Sequence, residues 1–124
     1  MRSIMVGFLI ALGLALTSSA QAQTEEEFFK GKTIRFVLGA APGQEYDLWA
    51  RLMARFFPRH IPGNPAFVVE NMPGAGFITA TNWLYNRAQR DGSVWGMANH
   101  NVADQALSKM SNVQYDPAKF NWIG

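Results

Sequence analysis

The chain has 124 residues, 11 Lys and Arg against 9 Asp and Glu, no cysteine, and a 48% apolar, 13% aromatic composition. That content is too apolar for a disordered chain, and the near balance of charge gives no electrostatic footprint for nucleic acid. The lack of cysteine excludes disulfides, thiolate metal ligands and a lipid-modified cysteine.

The opening residues, MRSIMVGFLIALGLALTSSAQAQ, have the three parts of a secretory signal peptide: Arg2, an uncharged apolar run from Ile4 to Leu16, and a small-x-small site at Ala20-Gln21-Ala22. The apolar run falls short of the ~20 residues that cross a bilayer. Cleavage after Ala22 is expected, giving an exported chain with no stable membrane insertion. A cysteine-free small domain fits a bacterial periplasm better than an animal extracellular space. Residues 1–22 are therefore read as signal peptide and residues 23–124 as one small domain at most.

Past the leader, QTEEEFFKGK reads as a polar lead-in with Phe28 and Phe29 as anchors. Thr33 to Gly39 reads as a strand buried on both faces, because its apolar residues are nearly continuous. Ala-Ala-Pro-Gly interrupts it, and a helix is predicted from about Tyr46 to Phe57, capped by Asp47 or the residues before it, with Leu48, Trp49, Leu52, Met53 and Phe56 along one face. Pro58 ends that helix. Ala66 to Glu70 is the second strand, NMPGAGF a second Pro/Gly loop, and Ile78 to Ala88 a second helix striped by Ala80, Leu84 and Ala88. Arg90-Asp91-Gly92 turns into a third strand, Ser93 to Ala98, followed by the loop Asn99-His100-Asn101, a short helix, a turn at Asp116-Pro117 and a fourth strand over Phe120 to Ile123.

This alternation predicts an α/β fold: a parallel sheet with helices on both faces, joined by right-handed crossovers. In such sheets ligands sit beyond the carboxyl ends of the strands, where all three strand-to-helix loops lie.

The individual motifs are weak. Gly39 and Gly43 are one residue short of G-x-x-x-x-G-K-[ST], and Gln44-Glu45 stands where Lys-Ser/Thr is required. Gly74-Ala75-Gly76 begins like a dinucleotide fingerprint, yet Thr79 replaces the third glycine. No metal site or cofactor is expected, since His60 and His100 lie in no metal-spaced cluster. His60 reads as a helix-end or surface residue, and His100 as a polar loop residue or a ligand contact. Arg51, Arg55 and Arg59 read as the solvated face of the first helix, and the four tryptophans as packing residues.

Taken in order, IRFVLGAAPGQEYDLWARLMARFF, VVENMPGAG and RDGSVWGM, with YDPAKFNWIG near the end, resemble the periplasmic solute-binding receptors of the tripartite tricarboxylate transporter group, the Bug family. The resemblance runs from about Lys32 to Gly124. It implies a partial first lobe of a type II periplasmic binding protein fold, a non-catalytic receptor that captures a small organic acid or related solute and presents it to the transporter's membrane subunits. Family members are much longer, so the resemblance makes this the truncated N-terminal part of that lobe.

The resemblance also implies a carboxylate held by backbone N–H groups and ordered water at two loops. These comprise Ala41, Pro42, Gly43, Gln44, Glu45, Tyr46 and Asp47 in the first, and Pro73, Gly74, Ala75, Gly76 and Phe77 in the second. The third loop, Asn99, His100 and Asn101, joins them as candidate ligand-binding residues because it lies at the same sheet edge. Gln44-Glu45 replaces a common Gly-Gly of the family, and Phe77 stands where many members have another glycine. A small exported phosphate- or nucleotide-binding enzyme, and a secreted module interacting through its sheet edge, are the alternative readings.

Overall fold

The computed structural model describes residues 23–123; the expected leader, residues 1–22, lies outside the described residues. The chain forms α1 (Glu25–Phe29), β1 (Thr33–Leu38), α2 (Glu45–Phe56), a 3₁₀ turn (Phe57–His60), β2 (Ala66–Asn71), a 3₁₀ turn (Ala75–Phe77), α3 (Ile78–Asn86), β3 (Val94–Met97), α4 (Val102–Leu107) and a last 3₁₀ turn (Pro117–Lys119).

The fold is α/β, as expected. Its three strands are parallel, in the order β2-β1-β3, with Phe36 level with Val69 on one side and Trp95 on the other. Central placement explains why β1 is an almost unbroken apolar run: Ile34, Phe36, Val37 and Leu38 are all buried. On one face Phe36 and Leu38 join Phe67, Val69, Trp95 and Met97 beneath Ala50 and Met53 of α2, with the Phe67 ring edge-on to Phe36 and Trp95. On the other face Gly96 leaves room for Leu84 of α3. There Arg35 grips Glu70 of the neighbouring strand with two bonds of 2.7 and 2.6 Å, and its guanidinium lies 5.1 Å from the Trp83 ring. That hydrogen bonding raises the Arg35 pKa and lowers that of Glu70.

A second apolar cluster, Ile78, Val102 and Tyr115 with Tyr85, Ala106 and Phe120, fastens α3, α4 and the C-terminal segment together. The Tyr115 hydroxyl donates within it to Gln105 Oε1 at 2.9 Å, and burial pushes its pKa up.

Three expectations are corrected. The lead-in contains a short helix, α1, started by a capping box in which Thr24 Oγ1 accepts from Glu27 N (3.2 Å) and Glu27 Oε2 from Thr24 N (3.1 Å). The predicted fourth strand does not form among the described residues: Phe120 turns onto Tyr85 and Tyr115, and Trp122 Nε1 donates to Pro117 O at 2.9 Å, which folds the segment back on its own turn. Finally, α2 is seated by its small side. Asp47 and Ala50 are buried and Met53 packs on the core, whereas the rest of the apolar stripe points outward, with Leu48 60%, Trp49 54%, Leu52 46% and Phe56 39% exposed. The aromatic side chains of the sheet occupy much of the space above it, and the side of the helix that meets them carries small Ala50 and pliable Met53.

Candidate functional site

Strand order fixes where the loops meet. The crossover through α2 leads from β1 to β2, whereas β3 lies on β1's other side, so strand order reverses between β1 and β3. That reversal makes a crevice at the carboxyl edge of such a sheet. Tyr46, in the first turn of α2, spans it. Its ring meets Phe77 of the second loop edge-on at 4.8 Å, and its hydroxyl lies 3.1 Å from Nδ1 of His100 in the third. The second and third loops are joined directly, because Gly76 O accepts from Asn99 Nδ2 at 3.2 Å and from Gln105 Nε2 at 2.9 Å.

The first loop spends its amides on itself. Gln44 Oε1 accepts from Ala41 N at 2.9 Å, Asp47 Oδ2 from Gly43 N at 2.8 Å, and Ala41 O from Gln44 N at 3.2 Å. The N–H groups that this leaves over are those of the first turn of α2, at Glu45 and Tyr46, with that of buried Asp47 behind them. Helix geometry gives them no intrahelical acceptor, and the N-cap position, Gln44, makes no side-chain cap bond to them.

Asp47 turns inward rather than toward solvent. Its buried carboxylate also accepts from Arg51 Nε at 2.9 Å and from Asn71 Nδ2 at 2.9 Å. The Arg51, Gly43 and Asn71 hydrogen bonds hold its pKa down at about 2. Asn71 donates as well to Ala40 O at 3.0 Å, so the end of β2 locks the first loop to its helix.

The second loop carries backbone strain. Ala75, Gly76 and Phe77 follow one another in left-handed conformation, at φ of 46°, 60° and 76°. The two with a Cβ each cost about 1–2 kcal/mol. Packing holds them there: Phe77 sits so close over Gly39 that a Cβ on Gly39 would fall 2.5 Å from Phe77 Cα, and Phe77 O accepts from Thr81 Oγ1 at 2.9 Å. Strain that persists only because its surroundings determine it is common in ligand loops.

The fifteen candidate residues thus lie on one sheet edge. Pro42, Gly43, Gln44 and Glu45, Pro73 to Gly76, and His100 with Asn101 are exposed; Ala41, Tyr46, Phe77 and Asn99 are half-buried; Asp47 is buried. Phe77 neither lines an enclosed pocket nor stands free to stack, since its ring packs on Tyr46 and Gly39. His60 is exposed beyond the far end of α2. Two other residues that shape the site, Asn71 and Gln105, went unmarked in the sequence. A lone amide closing an apolar strand before a Pro/Gly loop was the available signal for Asn71. Arg51 is half solvated, as expected, but its pairing with Asp47 was legible from their four-residue spacing. Among the described residues no three His, Asp or Glu side chains come together as metal ligands, and no helix is long and apolar enough to cross a membrane.

The arrangement is an open surface that combines the N-terminal turn of α2 with aromatic edges and polar loop side chains, and a helix N-terminus favours an anion. Comparison with protein-family models, with curated proteins and with solved structures finds no match for the chain. The fold and this loop cluster define it as a small α/β domain with a parallel three-stranded sheet.

Proposed function

We propose that the chain is the loop-bearing part of the first lobe of an exported, periplasmic solute receptor of the tripartite tricarboxylate transporter type, and that it binds a small carboxylate without catalysing a reaction. The observation that carries this reading is the meeting of all three strand-to-helix loops on Tyr46, beside the first-turn amides of α2. The motif resemblance supplies the ligand class and the partner, the transporter's membrane subunits. The face is open, one wall of a cleft, so it offers a weak foothold and not an enclosing pocket.

The test is a titration of the isotope-labelled chain with di- and tricarboxylates, followed amide by amide in NMR spectra. Saturable millimolar shifts confined to residues 43–47, 74–77 and 99–101 are expected. Shifts that are absent there, or spread evenly over the surface, would sink the reading. A phosphate- or nucleotide-handling enzyme would instead respond to nucleotides at the same amides.

A further inference from the structure

We propose that the outward face of α2 is a self-association surface, on which a second copy of this chain docks antiparallel about a two-fold axis passing near Leu52. The face carries Leu48, Trp49, Leu52 and Phe56, all at least 39% exposed, a row of large apolar side chains of the kind that marks an interaction site.

Its sequence is self-complementary. In an antiparallel pair centred on Leu52, residues three and four places before it meet those three and four places after it, the offsets that share one helix face, and the start of each helix meets the 3₁₀ turn that follows the other. Leu52 then meets Leu52, Leu48 meets Phe56, Trp49 meets Arg55, and Glu45 meets Arg59 just past the helix end. Apolar faces apolar, a cation faces an indole ring, and an acid faces a base, twice over by symmetry. A shallow depression lined by Glu45, Leu48, Trp49 and Leu52 receives the partner's Phe56. In the single copy Arg55 and Arg59 already lie against the Phe56 ring, 5.6 and 4.7 Å from its centroid, so both cations border this face. Antiparallel helices also set opposite dipole ends side by side. The surface is separate from the carboxylate reading except at Glu45, and the two fail independently: one in the ligand titration, the other in the association state.

Sedimentation of the chain beginning at Gln23 tests it, between roughly 5 and 500 µM, a range that spans micromolar association. A reversible monomer–dimer equilibrium is expected. Leu52→Glu puts two like charges on the axis and should give a monomer with unchanged helix content. Glu45→Arg and Arg59→Glu should each weaken the dimer about tenfold, as expected for two symmetric surface pairs, and the double swap should restore it. A wild-type monomer at every concentration overturns the proposal. A double swap no tighter than either single change overturns the antiparallel register.

Discussion

The hydroxyl of Tyr46 lies 3.1 Å from Nδ1 of His100, linking residues that stand 54 places apart in the chain and on opposite sides of the sheet's reversal point. It ties the third loop to the start of α2. Tyr46→Phe keeps the ring against Phe77 and deletes only this bond, so a loss of about 0.5 kcal/mol is expected at so exposed a site. Faster amide exchange at residues 99–101, with β1 unaffected, is the accompanying signature.

Acid should loosen the molecule through Asp47. Its carboxyl titrates at 3.8 when free of the fold and at about 2 within it, so its contribution is complete above about pH 4 and is lost as pH falls toward 2. Urea midpoints measured across that window should drop steeply in the wild type and less steeply in Asp47→Asn. Some slope should remain in the variant, because Arg35 holds Glu70 low and Ser93 does the same for Asp91.

Gly39→Ala tests the close contact of the first two loops. Its Cβ would meet the Phe77 backbone at 2.5 Å, and overpacking of that kind costs about 1–3 kcal/mol. Thermal melting should register the loss. A variant as stable as the wild type would mean the second loop yields without cost.

Gln44→Gly should strengthen carboxylate binding on the proposed reading. It frees Ala41 N from Gln44 Oε1 and exposes one more donor beside the first turn of α2. Larger carboxylate-induced shifts at residues 41–47 are the expected result. Glu45→Gly removes a like charge and should act in the same direction, while giving up a helix-dipole interaction worth ~0.3–1 kcal/mol.

Much of the architecture was legible because local rules agree. An apolar run without alternation marked β1, the short run Ala66 to Glu70 marked β2, and Pro/Gly clusters marked the loops that end them. The side on which α2 sits was not legible, since a helical wheel ranks its faces by hydrophobicity, whereas here small Ala50 meets Phe36, Phe67 and Trp95 and the larger Trp49 stays outside. The fourth strand was misread because Phe120 to Ile123 has strand composition, yet Tyr85 and Tyr115 offer its lead aromatic a better seat than an extended ladder. At the site, loop positions came from the sequence. The bonds of Asn71 to Ala40 and Asp47 join distant residues and left no local pattern.

The order β2-β1-β3 also dictates a sequence of events in time. Thr33 pairs with Ala66, but Arg35 must wait for Val94, a closure nearly twice as long, and long-range pairings are made late. The unit of β1, α2 and β2 should therefore condense first and β3 dock onto it afterward. Only that final step carries His100 to Tyr46, so any chain caught midway through folding has a sheet and a helix but no assembled loop cluster.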